Sequence, residues 1–230
     1  MNNRLAVHVK SHCLISSKLG INADLIGTEA IKRIRLQYPA IRRADRYTAM
    51  IINAAAHCLA QANLSFPLEG KTALLVASAF GPSRTTFSMI DEILEYPENE
   101  ILPTKFSHSV LNAALSYLAL VAGVQGDNYA LCGFDDVFHD ALVLADSLLR
   151  GGRVGQVLLV GCDESNILTE ILPQVLPEFT DKEAEDCVLA MLLTRENCGR
   201  ELIVERAENP KDTAFSFGVS KTILQQLLYD

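Results

Sequence analysis

The chain has 230 residues and a mass of 25.2 kDa, with 49% apolar and 21% charged residues. That is enough for one domain with a sizeable core, here expected to span residues 1–230, and too apolar for disorder. A net charge of −8, a pI near 5.1 and no basic run argue against a nucleic-acid or anionic-membrane binder. The expected partners are proteins or small molecules, and an acidic carrier protein would need a local basic patch such as Arg150–Arg153.

Six cysteines (Cys13, Cys58, Cys132, Cys162, Cys187 and Cys198) lack CxxC spacing, and most sit in apolar runs. They read as reduced core residues of a cytoplasmic protein with no metal site. The opening Met1–Val7 leads into strand-like alternation and not a signal sequence, and no apolar run approaches the ~18 residues of a membrane span.

Leu5–Leu14 starts with alternation that puts Leu5, Val7 and Val9 on one face of a strand. A short helix is expected over Thr28–Tyr38, closed by Pro39. Asp45 is placed to cap the next helix, where Tyr47, Met50, Ile51, Ala54, Ala55, Cys58 and Leu59 form an apolar stripe. Thr72–Ser78 is nearly all apolar and suits a central strand covered on both faces. A turn at Phe80–Ser83, a short helix at Ser88–Leu94 and an acidic loop over Glu95–Pro103 follow. Helices are then expected at Ser109–Val121 and Val137–Arg150, flanking a glycine-marked loop and strand over Gly123–Cys132. Gln156–Val160 and Cys187–Thr194 read as buried strands separated by the variable stretch Glu164–Asp186. A strand at Glu201–Glu208 and an amphipathic helix at Val219–Leu228 complete an α/β fold with a mixed sheet.

The turn Gly133-Phe134-Asp135-Asp136-Val137-Phe138 carries particular weight. A strand-to-helix turn is a natural seat for a nucleophile, because the helix N-terminus lowers the pKa of a thiol placed there. This one contains no Ser, Thr or Cys.

In order and spacing the chain resembles the N-terminal half of a β-ketoacyl synthase, the thiolase-like condensing enzyme of fatty acid and polyketide assembly. Asp45-Arg46-Tyr47 with its Ala-rich helix is similar to an early family helix, and Thr72–Ser78 to the second strand. Pro103–Ser107 with Asn112 resembles the approach to the active site, as do Gly123, Gly126, Asn128 and Tyr129. Ala145–Gly152 with Gln156–Gly161 is similar to the active-site helix and following strand, and Asp163-Glu164 to the acids at its end. Cys187–Arg195 resembles a later strand, but Glu183-Ala184-Glu185-Asp186 stands where the family has glycines.

The resemblance implies one half of a duplicated thiolase-like fold and places the family's nucleophilic cysteine at Asp135, give or take one residue (Phe134 or Asp136). None of the three can form a thioester. The family's two catalytic histidines belong to a C-terminal half with no counterpart in these 230 residues. What the resemblance then implies is a non-condensing, chain-length-factor-like accessory subunit with no cofactor. It would partner a full-length ketosynthase, a second copy of itself, or an acyl carrier protein. A lone half is also expected to expose an apolar helix face, which favours association.

Two other readings stay open. In one, Asp135, Cys132 and His139, with Asp136, serve a small acyl-thioester hydrolase or decarboxylase; His139 lies one turn from Asp135. Alternatively the chain is a structural homodimer without an acyl ligand. Capping preferences make Asp135 and Asp136 a helix N-cap and its neighbouring acid first. Ser107 reads as a cap beside His108, His57 as packing or surface, and Gly81-Pro82-Ser83 as too sparse for a phosphate loop.

Overall fold

In a computed structural model the described residues are 4–96, 103–134, 136–175, 185–195, 200–206 and 212–229. The first strand, β1 (Arg4–Ser16), is long and carries a bulge between Val9 and Ser11. The bulge shifts the alternation by one: Val7, Val9 and Leu14 face one core while Cys13 and Ile15 face the other. Helix α1 (Thr28–Gln37) follows, then α2 (Arg46–Gln61), whose first turn is capped by Asp45 Oδ1 accepting the Thr48 N–H at 3.0 Å. The expected stripe of α2 is fully buried, and Tyr47 Oη donates to the Cys162 carbonyl at 3.1 Å.

Strand β2 (Thr72–Ser78) leads into α3 (Ser83–Glu95), α4 (Pro103–His108) and α5 (Leu111–Ala122). Strand β3 (Asn128–Cys132), helix α6 (Val137–Arg150), strand β4 (Gln156–Asp163) and helix α7 (Ile167–Val175) follow. Strands β5 (Cys187–Thr194) and β6 (Arg200–Glu205), the short hairpin β7 (Thr213–Ala214) and β8 (Val219–Ser220), and α8 (Lys221–Tyr229) come last.

Six strands form one mixed sheet in the order β3-β2-β4-β5-β1-β6. β2 is parallel to β3 and β4, whereas β5 runs antiparallel to β4 and β1. Period-two alternation divides the central strands between two cores. Leu74, Val76, Leu158, Val160, Val188, Ala190 and Leu192 pack under α1, α2 and α5. Ala73, Leu75, Ala77, Val157, Leu159, Leu189, Met191 and Leu193 pack under α6 and α8. All residues of β2 and β5 are buried, as expected of all-apolar strands covered on both faces. Each large side chain so placed contributes about 1.5–3 kcal/mol of transfer free energy.

Several boundaries differ from the sequence reading. Helix α3 begins at Ser83, directly after Pro82, and not at Ser88. The helix expected from Ser109 starts at Leu111, because Val110 is extended, and a separate short helix, α4, precedes it. Strand β4 runs on through Gly161 to Asp163, and the stretch Glu164–Asp186 contains α7. Residues 97–102 of the expected acidic loop and residues 176–184 lie outside the described set.

Of the two central helices expected to carry an open apolar face, Ser109–Val121 and Val137–Arg150, α5 leaves Leu120 64% exposed, whereas the apolar stripe of α6 is covered. Phe138, Ala141, Leu142, Ala145, Leu148 and Leu149 are buried, and Ile223, Leu224 and Leu227 of α8 join the same core. The chain's own C-terminal residues thus close that face. Further exposed apolar side chains lie on α3 (Ile90, Ile93, Leu94) and α7 (Ile167, Ile171, Val175). Among the described residues no helix is long and apolar enough to cross a membrane.

Candidate functional site

β3 ends at Cys132 and α6 begins at Val137, so the intervening turn sits at the carboxyl end of the parallel strands, where α/β folds place their sites. Asp135, the expected nucleophile position, lies outside the described residues. Its neighbours on the turn are well defined. Phe134 is half exposed, and its ring meets Phe80 edge-on at 5.4 Å. Asp136 occupies the N-cap position of α6, but its side chain accepts no helix N–H. Its Oδ2 is bound instead by Arg206, from Nε at 3.0 Å and Nη2 at 2.8 Å. The Phe138 N–H at the start of α6 donates to the Phe217 carbonyl at 3.1 Å, so the C-terminal hairpin supplies the acceptor the sequence assigned to a cap.

Cys132 lies on the strand side of the turn, and its Sγ–H points to the Ala79 carbonyl at 3.5 Å. Although the residue is exposed, partial desolvation of its thiol, and then the nearby Asp163 carboxylate, push its pKa up. A thiol held in its neutral form is a poor nucleophile. His139 is mostly buried; its Nδ1 has no hydrogen-bond partner and lies 3.7 Å from Asp140 Oδ1. Neither Cys132 nor Asp136 is hydrogen-bonded to His139. His108 Nε2 and Tyr117 Oη are paired at 3.0 Å, His57 is exposed, Ser107 lies within α4, and Gly81-Pro82-Ser83 leads into α3.

The densest polar chemistry lies beside this turn, at the ends of β2 and β4. Asp163 is buried and accepts from Ser78 Oγ at 2.5 Å, from the Ala79 N–H at 3.1 Å and from the Phe80 N–H at 3.0 Å. Ser78 Oγ in turn accepts the N–H of Gly81, which turns in the left-handed region at φ +62°. This network fixes the loop whose Phe80 supports Phe134. Next in the chain, Glu164 is 1% exposed. Its Oε1 accepts the Arg84 N–H at 3.1 Å, and its Oε2 has no hydrogen bond. The nearest cation is Arg46 Nη1 at 3.8 Å, but that guanidinium is engaged by Asp186 at 3.0 and 2.9 Å. Burial is the main cause that raises the Glu164 carboxyl to about 7.

The sequence drew attention to Asp163 and Glu164 only as acids at a strand end; the groups that bond them, from Ser78 to Phe80 and at Arg84, lie 80 or more residues earlier in the chain. Burial also raises the other described thiols: Cys13 to about 12, Cys58 to about 11, and Cys162 and Cys187 well up. Cys198 lies outside the described residues, among which no three His, Cys, Asp or Glu side chains gather as metal ligands. The basic patch proposed at Arg150–Arg153 is internally matched, Arg150 by Asp146 and Arg153 by Asp127, both at 2.8 Å. Six of the 20 lysines and arginines instead fall between Lys32 and Arg46. Of these, Arg42 and Arg43 are exposed with no ion pair among the described residues.

The fold is similar to those of several solved ketosynthase assemblies. One is a ketosynthase (ApeO) in complex with its chain length factor (ApeC) from Xenorhabdus doucetiae, at 16% identity and a TM-score of 0.62, covering 84% of this chain and 80% of that one. The ishigamide ketosynthase/chain length factor aligns at 17% identity and a TM-score of 0.61, over 89% of this chain and 63% of that one. A type II polyketide ketosynthase in complex with its acyl-carrier protein (AntDE:AntF) aligns at 16% identity and a TM-score of 0.63, over 83% and 62%. This chain thus spans less than two thirds of the last two. No curated protein matches it in sequence. The sequence does match the family described as "Beta-ketoacyl synthase, N-terminal domain" over residues 26–224, and with the mixed sheet of one thiolase-like half behind that match, the chain belongs to this family.

Proposed function

We propose that this protein is a non-condensing, chain-length-factor-like accessory subunit, one domain over residues 1–230, that associates with an active ketosynthase in fatty acid or polyketide-type synthesis. The observation that carries the reading is the start of α6. A condensing enzyme must hold its acyl chain as a thioester there. Gly133, Phe134 and Asp136 have no group able to do so, Asp135 has none by identity, and Asp136 is committed to Arg206. The nearest thiol, Cys132, is held un-ionised and bonded to a backbone carbonyl.

The partner reading draws support from the matched assemblies, whose titles join a ketosynthase to its chain length factor or to an acyl-carrier protein. Because 84% of this chain lies on 80% of the first, the matched chain is itself close to this one in length, so a short chain of this fold occurs in such a complex. Acyl carrier protein fits as a further partner, met by the exposed Arg42 and Arg43 rather than by Arg150–Arg153. The cytoplasm, where carrier and synthase would meet it, is the proposed location, and the role needs no cofactor.

A hydrolase or decarboxylase built on Asp135, Cys132 and His139 is the weaker reading, because Cys132 and His139 make no hydrogen bond to each other. A homodimer without acyl ligand draws on the exposed apolar rows of α3 and α7. The deciding experiment incubates the protein with an acyl-loaded carrier protein and reads its intact mass. An unshifted mass is expected, and a stable acyl adduct on any residue would overturn the proposal.

A further inference from the structure

The outermost strand of a sheet presents backbone donors and acceptors that a strand from another chain can claim, so a bare edge invites pairing. β6 ends the sheet on its side, and among the described residues no strand lies beyond it. Its antiparallel ladder sets Val7 against Leu202, Ala6 against Ile203 and Leu5 against Val204. In such a ladder successive residues turn their N–H and C=O groups alternately to the two sides. Leu202 and Val204 are buried in the core under α6, whereas Glu201 and Glu205 are exposed and Ile203 is partly so.

The outer side of Ile203 is taken by a side chain of α8. Gln226 Oε1 accepts the Ile203 N–H at 3.0 Å, and Gln226 Nε2 donates to the Ile203 carbonyl at 2.9 Å. By alternation, the backbone groups of Glu201 and Glu205 turn to the same side as those of Ile203. A glutamine amide carries the carbonyl acceptor and N–H donor of a peptide group. Gln226 therefore makes, at the middle of β6, the two bonds that a residue of a neighbouring antiparallel strand would make. Its helix is anchored by Ile223, Leu224 and Leu227, which are buried in the same core, so the amide is held at the edge by packing. A strand approaching β6 would have to break both Gln226 bonds before making its own. Two-fold pairing with β6 of a second copy, centred on Ile203, would also set Glu201 opposite Glu205, and like charges so placed are unfavourable.

We propose that Gln226 guards the β6 edge: its side-chain amide stands in for a strand and keeps β6 from pairing with β6 of a second copy of this chain. Sheet extension on that side is closed, and partners are left to meet the protein on its other surfaces.

The test is sedimentation velocity of the full chain at high micromolar concentration, in about 0.5 M salt to screen Glu201 and Glu205. Gln226→Ala should sediment as a larger species than wild type. In dilute solution its Ile203 amide should exchange roughly tenfold faster than in wild type, and protection of the Glu201 and Ile203 amides should rise with concentration. Gln225→Ala makes the same change at the neighbouring, exposed position and should match wild type. Adding Ile203→Pro to Gln226→Ala removes the outward N–H, a change an edge strand tolerates, and should restore the wild-type size. Gln226→Ala at wild-type size would overturn the guard. So would a double variant that still associates, because association would then come from a loosened α8. If the double variant does not fold, the exchange data decide: Glu201 and Ile203 amides whose protection in Gln226→Ala is independent of concentration would overturn the proposal.

Discussion

Gly161→Ala would strike the joint between the sheet, α6 and the C-terminal hairpin. A Cβ built at Gly161 would lie 2.6 Å from Phe217 Cε2 and 2.8 Å from Phe138 Cδ2. Ordinary contact between carbons begins near 3.5 Å, so both rings would have to move by most of an ångström. Neither has room. Both are fully buried, their centroids lie 5.7 Å apart, and Phe215 stacks on Phe217 at 5.6 Å. Retreat of Phe217 would also pull its carbonyl from the Phe138 N–H at the start of α6. Overpacking of this kind typically costs about 1–3 kcal/mol, and two immobile rings put this site at the upper end. For a chain of this size that lowers Tm by roughly 5–10 °C. Urea denaturation of Gly161→Ala, Phe217→Leu and the double variant would read it, with the double variant less destabilised than the two single losses added together. A cost below about 0.5 kcal/mol for Gly161→Ala, or strict additivity, would refute the wedge.

Glu164→Gln should stabilise the fold at high pH. Because the folded pKa is raised, the wild type is at full strength below about pH 4.5 and weakens as pH rises to about 7. The variant should therefore gain about 2–3 kcal/mol over wild type at pH 8 and little at pH 5 in thermal or urea melts. Asp136→Asn removes the partner of a half-exposed arginine and should cost less than ~1 kcal/mol, read by the same melts. Arg42→Glu with Arg43→Glu should weaken binding of an acyl carrier protein at least tenfold by titration calorimetry at low salt, while the same change at Arg150 and Arg153 should have a smaller effect.

The parts of the fold that were legible in the sequence are those whose signal is local. α2, α6 and the all-apolar strands β2 and β5 carry an unbroken stripe or run, and Asp45 and Gly151-Gly152 mark their ends. Gly161 misled, because a glycine ending an apolar run reads as a stop. Its real role is to make room for two aromatic rings from distant segments. Helix α7 was hidden in an acidic, proline-containing stretch, and the early start of α3 was masked by the turn chemistry of Gly81-Pro82. At the candidate site the lack of Ser, Thr or Cys in the turn from Gly133 to Phe138 could be read directly from residue identity. The pairing of Asp136 with Arg206, the Phe217 carbonyl over α6 and the buried state of Glu164 could not, since each is made by residues 70 or more positions apart. The closed face of α6 had the same origin: nothing local in Val219–Leu228 says which helix it will cover.

The central claim, an unreactive subunit acting through an active partner, is tested most directly by native mass spectrometry. The protein would be mixed with a full-length ketosynthase and with an acyl-loaded carrier protein, and the complex dissociated into its chains in the instrument. The account predicts a complex containing both proteins, with the acyl mass on the synthase alone. An acyl group on this chain, or two proteins that stay apart at micromolar concentration, would contradict it.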